Sequence, residues 1–146
     1  MQTMTVSDLS GYHQLIADLF RWPSSAAEWD QYRLSKEQVD FFKEYGYVSG
    51  IKLLDEWQIE KLNEELAEIA DPAHPGNGLF YQFASNESAD PDTVLFHALG
   101  AWRITEGFHD ILWNPAFVMA ASQLLGIRLY GSGTISSSAS RPCMGV

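Results

Sequence analysis

The stretch from Leu34 to Ile69 constrains the fold most, because it carries two full sets of helix boundary signals around a short aromatic and β-branched run. Ser35 can accept from an orphan backbone N–H, Gln38 completes a capping box, and Leu34 and Val39 stand at the hydrophobic-staple positions. Val39, Phe41 and Phe42 make an apolar stripe, with Lys36, Glu37, Asp40 and Lys43 largely opposite, and Gly46 supplies the left-handed stop. Asp55, Gln58, Leu54 and Ile59 repeat the device for a second helix. Its Ile59, Leu62, Leu66 and Ile69 are three, four and three apart, one helical face, until Asp71-Pro72 ends it. Between the helices, Tyr47 to Ile51 reads as a strand.

The flanks are less regular. A helix is predicted around Tyr12 to Phe20, with Leu15, Ile16, Leu19 and Phe20 on one face and a break at Trp22-Pro23. Ser24 or Ser25 can cap a short helix through Ala26, Trp29 and Tyr32. Asp71 to Asp92 is a Pro- and Gly-rich loop region holding Leu79 to Phe83, which reads as a short strand or an anchored loop. Thr93 to Leu99 looks mildly helical. Asn114-Pro115 opens a helix whose inner face is predicted as Phe117, Val118, Ala121, Leu124 and Leu125; Gly126 closes it, and Ile127 to Tyr130 begins a strand.

The order Leu-Ser-x-x-Gln, Phe-x-x-x-Gly-Tyr-Val, Leu-Leu-x-x-x-x-Ile-x-x-Leu resembles the N-terminal region of the phytanoyl-CoA dioxygenase family. His109 to Tyr130 (HDILWNPAFVMAASQLLGIRLY) is similar to the family's helix that leads through Leu-Leu-Gly to the first core strand. Together the two stretches cover less than half of the chain. The resemblance implies an iron(II)- and 2-oxoglutarate-dependent oxygenase built on a double-stranded β-helix. The family holds iron through a His-x-Asp motif and a distant histidine, and an arginine forks onto the far carboxylate of 2-oxoglutarate.

That ligand set has no counterpart in the sequence. The histidines are His13, His74, His97 and His109, and none has Asp two positions on. His109-Asp110 comes nearest, but adjacent helical residues point about 100° apart, so the two are not expected to face one metal. Arg103 and Arg128 read as surface or ion-pairing charges rather than a co-substrate clamp. Accordingly no catalytic, cofactor-binding or metal-binding residue is assigned, and no cofactor is expected to bind this chain; iron(II) and 2-oxoglutarate belong to the parent family.

A net charge of −10 disfavours a nucleic-acid or anionic-membrane partner held through phosphates. No apolar run of membrane-spanning length and no secretory signal are present, so a cytoplasmic protein is expected. The single Cys143 allows no intrachain disulfide and reads as an incidental tail residue.

A double-stranded β-helix needs about eight strands of five or six residues, yet 20 residues follow Gly126. From Gly131 the chain reads GSGTISSSASRPCMGV, as low-complexity coil. A one-base frame slip near Gly131 would account for the change; the rival is a short natural product with a disordered tail. The expected architecture is mainly α with a few short strands: the N-terminal helical part of an α+β jelly-roll oxygenase, truncated before the barrel is complete. It divides into an N-terminal helical extension (1–33), the dioxygenase-like helical and first-strand part (34–130) and an irregular, frame-shift-suspect tail (131–146). Two functions are carried forward: a fragment of such an oxygenase, inactive as it stands, and an acidic helical protein-interaction module. In either, helix faces lacking a sheet favour self-association, and a small-molecule substrate is expected only of a complete domain.

Overall fold

Ser35 and Asp55 open their helices as the spacing predicts. The computed structural model describes residues 6–130 and 134–136, with 128–130 and 134–136 as backbone; Cys143 and most of the expected tail lie outside them. The elements are α1 (Ala26–Asp30), α2 (Lys36–Tyr45), α3 (Glu56–Ile69), β1 (Gln82–Ala84), β2 (His97–Leu99), α4 (Glu106–Asp110), α5 (Pro115–Leu125), β3 (Arg128–Tyr130) and β4 (Thr134–Ser136), with single 3-10 turns between some of them. The described chain is thus mainly helical, with two small antiparallel strand pairs. It forms two units interleaved in sequence, one from Met1–Arg21 and Leu54–Asn114, the other from Trp22–Leu53 and Pro115–Val146.

In the first unit, α3 begins with a complete capping box. The Asp55 carboxylate accepts from the Gln58 backbone N–H at 2.9 Å, and Gln58 Oε1 accepts from the Asp55 N–H at 2.9 Å. The Gln58 amide has a second duty, since its Nε2 donates to the Leu19 carbonyl at 2.7 Å. Of the predicted stripe only Leu62 and Ile69 are buried; Ile59 and Leu66 are exposed. Leu62 joins Leu19 and Phe20 in an apolar cluster against which Leu15, Leu54, Phe108 and Ile111 pack.

The predicted helix at Tyr12 to Phe20 does not form. A 3-10 turn at Leu9–Gly11 leads instead into an irregular strap whose backbone bonds to side chains of α3 and α4. Thr93 to Leu99 is likewise not helical, and its last three residues form β2. β2 pairs with β1 in the register Gln82↔Leu99, Phe83↔Ala98, Ala84↔His97. Phe83 stacks on Phe80 at 5.1 Å and meets Phe96 edge-on at 5.7 Å, so long-range aromatic packing overrides local preference.

At the head of α4 the Thr105 side chain makes no cap, and its hydroxyl is buried without a hydrogen-bond partner. Glu65 of α3 replaces it, its carboxylate accepting from Gly107 N–H at 2.9 Å and Phe108 N–H at 3.2 Å. Acidic charge at a helix N-terminus is favoured by the unsatisfied amides there.

In the second unit, Ser25 caps α1, and Trp29 packs edge-on against Trp22 at 5.0 Å. α2 carries the Ser35/Gln38 capping box and ends at Gly46, which adopts φ +79° and donates to Phe42 O at 2.8 Å. The strand expected at Tyr47 to Ile51 does not form: the segment belongs to no helix or strand, and Gly50 within it takes the left-handed φ of +75°. The face of α5 also differs from the expectation. Ala116, Met119 and Ala120 are buried, whereas Phe117 and Leu125 are exposed. α5 closes with a Schellman arrangement, Ile127 N–H to Ser122 O at 2.8 Å and Gly126 N–H to Gln123 O at 3.3 Å, around Gly126 at φ +68°. β3 then pairs with β4, Leu129 opposite Ile135, so a strand interrupts the stretch read as coil.

Candidate functional site

Two places combine burial with chemistry or space, and each lies within one unit. The first is the pair His109 and Asp110 at the end of α4, exposed by 1% and 0%. Although consecutive on a short helix, their side chains meet, His109 Nδ1 lying 3.0 Å from Asp110 Oδ1. The reach of the two side chains spans the 100° offset of their Cα–Cβ bonds, so neighbours on one helix can bond to each other.

The remaining capacity of the pair is spent on the N-terminal strap. His109 Nε2 donates to the Tyr12 carbonyl at 3.1 Å. Asp110 Oδ1 accepts from Ile16 N–H at 3.0 Å and Oδ2 from Ala17 N–H at 2.9 Å. Both ring nitrogens and both carboxylate oxygens are therefore engaged.

The other sequence candidates are scattered. His13 is exposed. His74 Nδ1 accepts from Gly76 N–H at 3.1 Å, which leaves the hydrogen on Nε2, 3.2 Å from Glu68 Oε1. His97 Nε2 lies 3.1 Å from Gln82 Oε1 across the β1–β2 ladder. No group of three or more His, Cys, Asp or Glu among the described residues could hold a metal ion. The described residues do not fit the iron site that the resemblance implies.

Arg103 is an ion-pairing residue, as its sequence context predicts. Its guanidinium binds the Asp8 carboxylate, donates to Leu79 O at 2.7 Å and lies 4.9 Å above the Tyr81 ring. The Arg103 hydrogen bond, then the Ser10 backbone N–H, hold the Asp8 carboxyl well below the usual carboxylate range, and Asp8 in turn raises Arg103. Of Arg128 the structure describes the backbone alone.

The second place is an apolar groove of about 370 Å³ in the second unit, lined by Val48, Gly50, Ile51, Leu53, Phe117 and Leu124 among others. Its size falls in the range of small-molecule sites, about 300–1,000 Å³. Ser49 is its one polar side chain, so it offers apolar contact and no acid, base or nucleophile pair. Phe117, Ala121 and Leu124, predicted to face a core, line this groove instead. Phe41 and Tyr45 of α2 form an exposed aromatic group with Tyr47, the neighbour in sequence of the groove's Val48, with ring centroids 4.5 Å and 5.2 Å from Phe41.

The sequence drew attention to His109-Asp110 as the nearest approach to a His-x-Asp motif, and to the groove not at all. The role of the pair becomes visible only when the strap, over ninety residues away in sequence, is laid beside it. No helix among the described residues is long and apolar enough to cross a membrane. No protein-family model matches the chain, and no curated protein matches it in sequence.

Proposed function

We propose that the chain is the N-terminal helical part of a phytanoyl-CoA dioxygenase-like oxygenase and serves as scaffold, without the parent reaction. That reaction hydroxylates an aliphatic carbon while 2-oxoglutarate is decarboxylated to succinate. The reading is supported by the ordered pair of stretches that carry the resemblance, whose helices form although the strand expected at Tyr47 to Ile51 does not. Leu34 to Ile69 gives two helices with complete capping boxes, and Pro115 to Tyr130 gives a helix, a left-handed glycine and a strand. The inactive half of the proposal rests on the sequence, which has no His-x-Asp.

Anaerobic titration with iron(II) and 2-oxoglutarate tests activity: neither a charge-transfer band nor succinate release is expected, and a stoichiometric band would overturn the inactive reading. Ancestry is tested on the DNA. A His-x-Asp encoded downstream of Tyr130 in another frame supports it; none within a few dozen codons removes the frame-slip account.

A second reading, an acidic interaction module, is favoured by the exposed Phe41, Tyr45 and Tyr47 and by the apolar groove. Sedimentation velocity of the chain and of Phe41→Ser addresses it. Self-association that the substitution weakens is expected; a monomer at every concentration counts against it.

A further inference from the structure

The strap and the predicted helix are two answers to the same residues. In a helix, the Ile16 N–H would donate to the Tyr12 carbonyl, four residues back. In the structure both groups are taken by α4: Tyr12 O accepts from His109 Nε2, and Ile16 N–H donates to Asp110 Oδ1. The His-Asp pair thus stands in place of one helical hydrogen bond, and Asp110 Oδ2 takes the next amide, Ala17. Among the described residues, no backbone–backbone hydrogen bond involves residues 13–20. The polar links of Tyr12 to Phe20 run instead through three side chains, His109, Asp110 and Gln58. Its apolar links are Leu15, Leu19 and Phe20 on the Leu62 cluster.

We propose that residues 12–20 form a two-state latch: an irregular strap while His109 and Asp110 hold it, and a helix when that pair lets go. The spacing of Leu15, Ile16, Leu19 and Phe20 puts them on one face of the released helix. Such a short helix is marginal alone, so its stability depends on setting that face back on the apolar cluster. Local opening of this kind belongs to segments with few backbone bonds to their surroundings. Release keeps Leu62 of α3, Phe108 of α4 and Ile111 covered by the redocked helix face, and frees two buried side chains, His109 and Asp110, to bond another extended backbone.

The test is amide exchange and backbone chemical shifts in the full chain with Asp110→Asn. The Ile16 and Ala17 amides are expected to exchange roughly 10- to 150-fold faster, the equivalent of losing a charge-assisted hydrogen bond. Residues 12–20 should move toward helical shifts while Leu62 and Leu66 keep their protection. Unchanged exchange at Ile16, faster exchange without helical shifts, or equal loss along α3 would each overturn the latch. Should the variant fail to fold, the unmodified chain in low denaturant decides the matter. Ile16 and Ala17 should open with a smaller denaturant dependence than Leu62, and one shared dependence would overturn it.

Discussion

His109 donates to the Tyr12 carbonyl and Asp110 accepts from the Ile16 amide, the two groups that a helix would pair with each other. The arrangement turns two titratable side chains, which in a cleft would suggest catalysis, into backbone recognition. Because both are buried and each satisfies the other, the pair has to be judged as a unit. Removing one member leaves its partner uncompensated in the interior.

Asp110→Ala should therefore destabilise the first unit by about 3–5 kcal/mol, a large part of the stability of a domain this size. Denaturant melts of the two chains measure it. A change below about 1 kcal/mol, the ordinary net worth of one hydrogen bond, would mean that the strap contributes little.

Gly107 is held to glycine by Glu65. A Cβ there would lie 2.7–2.9 Å from the Glu65 carboxylate, which is itself fixed on two amides of α4. Gly107→Ala gains helix propensity of about 1 kcal/mol but displaces a charge-assisted cap worth about 1.5–3 kcal/mol. A net loss is expected, and it should vanish in a Glu65→Ala background, where the alanine becomes neutral or stabilising. A double-mutant cycle gives the coupling directly.

The Asp8–Arg103 pair gives a pH dependence with a definite sign. The Asp8 carboxyl is depressed on folding, first by Arg103, so its contribution is present above the ordinary carboxylate range and is lost as pH falls through the depressed folded value. Asp8→Asn should lower Tm near neutral pH, with the gap to the unmodified chain narrowing below about pH 4. A gap that widens in acid would show that the pair acts otherwise.

Gly46 ends α2 at φ +79° with open space around its missing Cβ. Gly46→Ala should cost about 1–2 kcal/mol through backbone strain alone, and Gly46→Asn less, since Asn tolerates that region better. Equal costs for the two would point to a steric cause.

Local chemistry made the helix ends legible in the sequence: both capping boxes, Gly46, Gly126 and the Ser25 cap are short-range devices that depend on residues within a turn. What escaped depends on distant partners. Tyr12 to Phe20 has a helical spacing, but Asp110 and His109 outbid the local hydrogen bond. Thr93 to Leu99 has a helical look, yet Phe83 and Phe96 draw it into a ladder. The face of α5 was misjudged because Phe117 and Leu124 line a groove where a core was predicted. As for the candidate site, the sequence singled out His109-Asp110 for the wrong reason; its nitrogens and oxygens are occupied by backbone that periodicity alone had assigned to itself.

The two capping glutamines show how like motifs diverge in meaning. By the capping rule Glu and Gln are interchangeable at the third helical position, and for Gln38, whose side chain bonds back to Ser35 N–H, that holds. Gln58 bonds to Asp55 N–H with its oxygen and to Leu19 O with its nitrogen. Glutamate there would keep the cap and set a carboxylate against a carbonyl. Position 38 is therefore permissive, whereas position 58 ties the cap of α3 to the path of the N-terminal segment.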